Sequence, residues 1–140
     1  MKEYNYNCYL MTPSDSDFQD VRKHIADSLI EMKVKPVLWD QFPATTQTIA
    51  EALQNQIRES DLIVADVTGN NPNVMFELGF AFALSKPILI LVQNTSREIP
   101  FNVSSYLYNV YDPTHPQQLR ETIHAWVPRL IERIRKEARN

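Results

Sequence analysis

The sequence predicts an α/β fold: a single-domain three-layer αβα sandwich built on a flavodoxin-like, doubly wound parallel sheet with the strand order 2-1-3-4-5. Three observations support this prediction. Apolar runs of strand length alternate along the chain with segments of helical periodicity, as in β-α-β units. DLIVADV at 61–67 and KPILILVQ at 86–93 are apolar almost throughout, which is typical of strands covered on both faces. The chain has 140 residues, a length that suits one domain, 1–140, with its own core.

The first β-α unit lies at the start of the chain. YNCYLM at 6–11 is the first predicted strand, followed by the turn-forming TPSDSD. Ser14, Asp15 or Asp17 is the expected N-cap of the next helix, because short polar side chains accept hydrogen bonds from the first N–H groups of a helix. Apolar residues at steps of three and four predict one buried stripe on this helix. They are Phe18, Val21, Ile25, Leu29 and Met32.

A second β-α unit follows, with VKPVLW at 34–39 as the predicted strand. Thr48 and Glu51 match a capping box, in which each side chain pairs with the backbone N–H of the other residue. The helix that begins there is expected to end near Ser60 and to bury one apolar face. That face consists of Ile49, Leu53 and Ile57.

The third strand leads into a helix with Asn71 as N-cap and Pro72 at the first helical position, where a missing N–H costs nothing. The fourth strand is 86–93, and YLYNVYD at 106–112 is the fifth. A last amphipathic helix follows, which Pro128 is expected to kink or divide. Its apolar positions are Leu119, Ile123, Val127, Leu130 and Ile134.

Composition and charge limit the location and the partners. The net charge of −3 offers little attraction to a polyanion, so no nucleic-acid polymer is expected as a partner. Cys8 is the only cysteine, which excludes an internal disulfide and suits a reducing compartment. Neither a signal peptide nor an apolar run of membrane-spanning length is found. We therefore expect a cytoplasmic protein without membrane association.

Several common active-site motifs are missing from the sequence. It contains no G-x-x-x-x-G-K-[ST], no G-x-G-x-x-G and no G-x-S-x-G, which argues against a P-loop, a dinucleotide fingerprint and a serine-hydrolase elbow. His24, His115 and His124 are not spaced as metal ligands, so no metal is expected. A phosphoacceptor receiver domain would share the topology, but its acidic pair after the first strand and its Lys after the last strand are not found.

Ligands of doubly wound folds bind at the carboxyl ends of the strands, where the strand order reverses. The loops expected there are 12–15, 39–42, 66–73 and 93–96. Aromatic residues of the second loop could stack on a base, although a place in the core wall is the alternative. The candidate binding residues are Thr12, Ser14, Asp15, Trp39, Asp40, Phe42, Asp66, Asn71 and Asn73.

Both glycines of the chain fall in this region. Gly69 lies in the turn after the third strand, where a positive φ or the close approach of a ligand would exclude a Cβ. Gly79 lies inside the predicted helix, where glycine costs about 1 kcal/mol relative to alanine. Close packing of this helix on the sheet is the expected reason. The alternative is that the helix backbone approaches a ligand or a neighbouring subunit.

Two carboxylates are candidates for chemistry. Glu77 lies in the second turn of the helix among apolar residues, where burial opposes its charge and the helix N-terminus favours it. A surface glutamate that complements the helix dipole fits the pattern equally well. Asp66 ends a buried strand and could accept hydrogen bonds from a ligand, or it could bind the backbone of its own turn. The N–H groups of 71–73 could bind a phosphate, or Asn71 could simply cap them.

The segment SDLIVADVTGNNPNVMFELGFAFALSKPILILVQ at 60–93 contains a long and specific motif. With YLMTPSD at 9–15 and IPFNVSSYLYNVYD at 99–112, it resembles the nucleoside 2-deoxyribosyltransferase-like superfamily. The chain is most similar to the bacterial branch with the motif A-D-[LV]-T-x-x-N-P-N-V-x-[FY]-E-L-G-[FY]-A. That branch grades into TIR-like NAD-cleaving domains, and the similarity covers most of the chain.

The resemblance implies a role for each matched residue. Glu77 would be the catalytic carboxylate that attacks or stabilises the anomeric carbon as the base departs. Gly79 would keep the helix slim beside the sugar, and Asp66 with the turn 71–73 would hold sugar hydroxyls or phosphate. The substrate would be a nucleoside, a nucleotide or NAD, no cofactor would be required, and a neighbouring subunit of a homo-oligomer would complete the pocket. The aromatic residues that would wall the base are Trp39 and Phe42.

One position departs from the family pattern. Transferases that act on deoxynucleosides commonly carry Asp six residues before the catalytic glutamate, and this position is Asn71, which cannot deliver a proton as an acid. The sequence therefore predicts cleavage of an N-glycosidic bond, by hydrolysis or by base or ribosyl transfer, with Glu77 as the catalytic group. The alternative is a non-catalytic nucleotide-sensing module of a signalling or defence system. A third hypothesis is a TIR-like scaffold that acts through assembly.

Overall fold

A computed structural model describes residues 3–38, 48–95 and 108–139 of the chain. Five parallel strands form one sheet in the order β2-β1-β3-β4-β5. The predicted fold class and strand order are confirmed. The strands are β1 (Tyr6–Met11), β2 (Val34–Val37), β3 (Leu62–Asp66), β4 (Ile88–Gln93) and β5 (Tyr108–Tyr111).

Helices cover both faces of this sheet, and the sheet lies between two buried clusters of side chains. The bounds of the helices in the described ranges are α1 (Gln19–Glu31), α2 (Ile49–Glu59), α3 (Pro72–Ala83) and α4 (Pro116–Ala138). One cluster joins α1 and α4 to the sheet, and the other joins α2 and α3 to its opposite face. This is the three-layer arrangement that amphipathic helices and continuously apolar strands favour.

Alternation along the strands decides which side chain meets which helix layer. In β1, Cys8 and Leu10 face the α1 and α4 layer, whereas Tyr9 and Met11 face the α2 and α3 layer. β3 lies at the centre of the sheet and is buried at all five positions, as its apolar sequence predicts. Tyr9 is therefore directed towards α3.

Two helix starts follow the predicted capping. The Thr48 side chain accepts a hydrogen bond from the Glu51 N–H and the Glu51 side chain accepts one from the Thr48 N–H, so the capping box is present. α2 ends at Glu59, immediately before Ser60. Asn71 caps α3, with Pro72 in the first turn. These caps set the directions of the two helices that border the candidate site.

Other local predictions were wrong. A 3₁₀ turn, Ser16–Phe18, precedes α1, and Asp15 makes no side-chain cap hydrogen bond because the Phe18 N–H bonds to the Asp15 carbonyl instead. α4 runs through Pro128, so the expectation that Pro128 divides the helix is wrong. Pro128 and His124 are exposed, so water can satisfy the carbonyl that loses its helical partner. β2 ends at Val37 and β5 ends at Tyr111, so residues 38 and 112 lie outside the strands predicted to contain them. Residues 39, 106 and 107 of the predicted strands lie outside the described residues.

Candidate functional site

A pocket of about 250 Å³ lies at the carboxyl ends of β1 and β3. The chain leaves β1 towards one face of the sheet and leaves β3 towards the other, so this is the point at which ligands bind in doubly wound folds. The loop after β1, α2 and the first half of α3 supply the walls. The lining residues are Thr12, Ser14, Ile49, Leu53, Asn71, Asn73 and Glu77.

Glu77 projects from the second turn of α3 into this pocket and is held by Tyr9. The Tyr9 hydroxyl donates a hydrogen bond of 2.6 Å to Glu77 Oε2. Tyr9 is fully buried in β1, so the carboxylate is anchored to a central strand of the sheet. The half-buried Glu77 is thus a pocket-wall residue, and the alternative of a dipole-complementing surface glutamate is wrong.

Burial and the tyrosine act on Glu77 in opposite directions. Burial raises the pKa of Glu77 above the ordinary glutamate value, and the hydrogen bond from Tyr9 partly lowers it again. The pKa of Tyr9 is raised, first by burial and then by the charge of Glu77. Tyr9 therefore remains an O–H donor at neutral pH. The result is a carboxylate with one oxygen paired to a phenol, in an enclosure where a cationic centre would be strongly stabilised.

Asn71 and Asn73 form the polar wall beside Glu77. Asn71 Oδ1 accepts hydrogen bonds from the N–H of Asn73 at 2.9 Å and of Val74 at 3.2 Å. Asn71 thus caps two of the N–H groups that could have bound a phosphate. The polar groups that remain for a ligand in this wall are the side-chain amides and the hydroxyls of Thr12 and Ser14 across the pocket.

The loop after β1 is braced by Arg22 of α1. Its guanidinium donates from Nη1 to the Pro13 carbonyl at 2.5 Å and from Nη2 to the Asp15 carbonyl at 3.5 Å. The brace places Thr12 and Ser14 in the pocket wall. Asp15 is exposed and lies outside the lining, so the structure does not bring it to the pocket as the sequence suggested.

Asp66 does not face the pocket. It is fully buried, and its Oδ1 accepts hydrogen bonds from the Thr68 N–H at 3.0 Å and the Thr68 hydroxyl at 2.5 Å. Its Oδ2 accepts one from the Tyr111 hydroxyl. Burial raises the pKa of Asp66, and these bonds lower it in part. The expectation of a ligand-binding carboxylate is therefore corrected to the alternative, an aspartate that binds its own turn.

The structure confirms one of the two explanations expected for Gly69 and contradicts the one expected for Gly79. Gly69 has φ of +72°, and a Cβ there would meet nothing within 4 Å, so its backbone conformation and not close approach requires glycine. A Cβ on Gly79 would also meet nothing, and Gly79 is exposed. Close packing of α3 on the sheet is therefore the wrong reason for Gly79. Val74 and Leu78 make that contact and turn Gly79 outwards.

Three residues of the site are not among the candidates that the sequence indicates. Tyr9 is one of them, although a tyrosine in a buried strand needs a partner for its hydroxyl, which is the available signal. Ile49 and Leu53 belong to the predicted apolar face of α2, but Ile49 is 73% exposed and both residues line the pocket. Trp39, Asp40 and Phe42 lie outside the described residues.

A larger groove of about 550 Å³ lies near the start of β4. Apolar side chains of β4 and α4 and the cations Lys86 and Arg133 line it, without a carboxylate among its described lining residues. The smaller pocket, which contains Glu77, is therefore the candidate active site.

Within 3–38, 48–95 and 108–139, no cluster of three or more His, Cys, Asp or Glu residues could hold a metal. No helix in those ranges is long and apolar enough to cross a membrane.

Comparisons with known proteins identify relatives of this chain. The 5-hydroxymethyl-dUMP N-hydrolase of Rattus norvegicus is 35% identical over 77 residues, which cover 55% of this chain. The match spans 44% of the rat protein. A CMP N-glycosidase of Clostridium botulinum superposes with a TM-score of 0.62 at 19% identity, over 85% of this chain and 98% of that one. The TIR domain of a Toll-related receptor of Hydra magnipapillata gives 0.62 at 15% identity, over 97% and 100%.

The two structural likenesses show a shared fold, as the sequence resemblance implied. Residues 10–124 match the family model described as nucleoside 2-deoxyribosyltransferase. This range contains every described lining residue of the pocket, including Glu77. The chain therefore belongs to the nucleoside 2-deoxyribosyltransferase family.

Proposed function

We propose that this protein cleaves the N-glycosidic bond of a nucleoside monophosphate, by hydrolysis or by transfer to a second base, with Glu77 as the catalytic carboxylate. The observation that carries the proposal is the position of Glu77 in the pocket wall, 2.6 Å from the buried Tyr9 hydroxyl. Family membership supports a nucleoside or nucleotide substrate. The names of the rat N-hydrolase and the clostridial N-glycosidase support a nucleotide.

The chemistry follows from the charge that develops on the sugar. As the C–N bond breaks, its electron pair goes to the base and C1′ becomes cationic, so a nearby carboxylate stabilises the transition state more than the ground state. If a Glu77 oxygen bonds to C1′, a water then attacks the same carbon, loses a proton and frees the carboxylate and the sugar phosphate. The departing base takes its proton from water. Transfer differs only in that a second base replaces the water.

Tyr9 holds Glu77 in place and favours its ionised form, which this step requires. Its hydroxyl occupies Oε2, which leaves the other carboxylate oxygen for the sugar carbon. The hydrogen bond also favours the ionised form of Glu77 against the effect of burial on its pKa. We therefore assign Tyr9 a positioning role, in which it acts on the substrate through Glu77.

The side chains that line the pocket suit the parts of a mononucleotide. The hydroxyls of Thr12 and Ser14 and the amide of Asn73 offer neutral donors for a phosphate, and the apolar Ile49 and Leu53 offer a surface for a base. Because Glu77 supplies the charge itself, we propose that no metal or organic cofactor is required. Dialysis against a chelator should leave the activity unchanged.

We also propose that the protein is a homo-oligomer. α3 contains a single charged residue, Glu77, yet its outward face is uncovered, with Phe76 61% exposed and Gly79 in open space. An exposed apolar helix face next to polar residues is commonly covered by a partner. A second copy would cover this face with the same apolar surface.

The buried Cys8 suits a reducing compartment, and we propose a cytoplasmic location.

A screen for base release tests the proposed reaction. Wild type, Glu77→Gln and the control Glu132→Gln, which changes an exposed glutamate of α4, are incubated with deoxynucleoside and nucleoside monophosphates, deoxynucleosides and NAD. Chromatography should show base released by wild type and control, with a loss of about 10³-fold in Glu77→Gln. Nucleotide-dependent stabilisation without base release by wild type would instead support the nucleotide-sensing module, which Asn71 in place of an acid favours.

A further inference from the structure

The network around Asp66 joins the ends of three strands to the turn that precedes α3. Asp66, Gln93 and Tyr111 are the last residues of β3, β4 and β5, and Thr68 lies in the turn. The Gln93 N–H donates to the Thr68 hydroxyl oxygen at 2.9 Å, and Gln93 Nε2 donates to the Tyr111 hydroxyl at 3.1 Å. Thr68 and Tyr111 both donate to Asp66. These hydrogen bonds connect the carboxyl ends of β3, β4 and β5 with one another and with the turn.

We propose that Asp66 and Tyr111 are positioning residues of the candidate site: together they hold the turn after β3, and through it they place Asn71 and Asn73 in the pocket wall. This inference rests on the proposed function, because it concerns the same pocket. Asp66 is fully buried and Tyr111 is 4% exposed. A substrate therefore reaches neither side chain, and both can act on it only through the turn.

The turn needs such support because its backbone conformation is unusual. Gly69 and Asn70 follow one another with φ of +72° and +52°, both in the left-handed region. Glycine adopts this region freely and asparagine at modest cost, so the contacts around the turn decide whether the conformation is kept. Asn70 Oδ1 is also buried without a hydrogen-bond partner among the described residues. The bonds from Thr68 to Asp66 and from Gln93 to Thr68 are the contacts that hold this conformation.

The turn and Glu77 are anchored to different parts of the sheet. Asn71 follows the turn directly and Asn73 is two residues further on, so a shift of the turn moves both. Glu77 is tied to β1 by Tyr9, which makes no contact with the Asp66 network among the hydrogen bonds of the described residues. Loss of the network should therefore weaken substrate binding more than it slows the chemical step.

Tyr111→Phe tests the inference, because it removes the hydroxyl that donates to Asp66 and keeps the ring. The KM for the nucleotide substrate should rise about 10-fold, which corresponds to one lost hydrogen bond, while kcat changes less than about threefold. The acid limb of the pH profile should stay in place. Tyr108→Phe, on the exposed side of the same strand, is the control and should change neither constant. Unchanged KM in a folded Tyr111→Phe protein would overturn the inference.

Asp66→Asn separates positioning from direct catalysis. The amide oxygen can still accept both bonds from Thr68, and the amide N–H can donate to the Tyr111 hydroxyl, which is still present in this variant. KM should therefore lie closer to wild type than in Tyr111→Phe. A loss of kcat of about 100-fold or more with unchanged KM would assign Asp66 to the chemical step and contradict the inference.

Failure of the proposed function leaves the inference testable. If wild type releases no base, amide hydrogen exchange of the ligand-free protein replaces kinetics. Exchange at residues 69–74 should be faster in Tyr111→Phe than in Tyr108→Phe, while β3 stays protected in both. Equal exchange in the two variants would overturn the role of the network, whatever the activity of the protein.

Discussion

Glu77 and Asp66 are both enclosed carboxylates, and their hydrogen bonds give them different roles. Asp66 receives three hydrogen bonds, two from Thr68 and one from Tyr111, so both of its oxygens are occupied within the fold. Glu77 receives one, from Tyr9, and faces a pocket. Burial raises the pKa of both groups. At the residue scale, the number of internal donors thus decides which carboxylate is available for a substrate.

The first prediction concerns the pH dependence of catalysis. Because the Tyr9 hydrogen bond lowers the pKa of Glu77, Tyr9→Phe should raise that pKa further and shift the acid limb of kcat/KM to higher pH. At pH values below the acid limb, kcat/KM should be about 10-fold lower than in wild type, and it should recover as the pH rises. Profiles of wild type, Tyr9→Phe and the surface control Tyr108→Phe are the measurement. An acid limb that does not move in Tyr9→Phe would contradict the role of the phenol.

At the scale of elements, α3 both lines the pocket and packs on the sheet. Its N-cap Asn71 and the residues Asn73 and Glu77 line the pocket, and Val74 and Leu78 pack on the sheet. The side of α3 that faces outwards is an exposed stripe without charge. The residues of this stripe are Pro72, Phe76, Gly79 and Ala83. Nothing within the described chain explains why this side is apolar, which is why we relate it to self-association.

Gly79→Ala should stabilise α3 in the monomer. Alanine is favoured over glycine by about 1 kcal/mol inside a helix, and a Cβ at this position meets nothing within 4 Å. Urea unfolding of dilute protein should therefore show a free energy of unfolding higher by about that amount. A lower free energy of unfolding would mean that another part of the chain approaches Gly79 closely.

Phe76→Asp should separate the proposed oligomer into monomers. The charge would be buried without a partner in an apolar interface, which costs several kcal/mol. Light scattering across a range of concentrations should give a smaller mass for Phe76→Asp than for wild type. Gln117→Asp, at an exposed position of α4, is the control and should keep the wild-type mass. A monomeric wild type would refute self-association through α3.

At the scale of the whole molecule, the parallel sheet brings the site together. β1 and β3 are neighbours, and their connections pass to opposite faces of the sheet, so their carboxyl ends border one crevice. Tyr9 and Glu77 are 68 residues apart in sequence and meet only because α3 packs on β1. The carboxylates that this packing encloses also affect how stability depends on pH.

Glu77→Gln should stabilise the protein increasingly as the pH rises. The pKa of Glu77 in the folded state is above its value in the unfolded state. Between these two pKa values the folded state binds a proton that the unfolded state has lost, which stabilises the folded protein. This stabilisation disappears as the pH rises through the folded-state pKa. Glutamine removes the cost of burying the charge. Denaturant unfolding between about pH 4 and pH 8 should show equal stabilities at the acid end and a more stable variant at the neutral end. Glu132→Gln serves as the control. A difference that is independent of pH would contradict this account.

Much of the fold could be predicted from local patterns. Continuous apolar runs identified β3 and β4, and the Thr48–Glu51 and Asn71–Pro72 signals located the starts of α2 and α3. Each of these signals lies within a few neighbouring residues, which is the range of sequence over which helical and strand periodicity can be recognised. The motif around Glu77 indicated the family, which the match over residues 10–124 confirms.

The sequence by itself therefore determined the order of elements, the strand order and the region of the site. Only the tertiary structure decided that Tyr9 meets Glu77, that Asp66 turns into the protein and that Gly79 faces outwards. The reason is physical: capping and periodicity are interactions between near neighbours, whereas the partners of a buried polar group depend on strand register and on the rotation of each helix against the sheet.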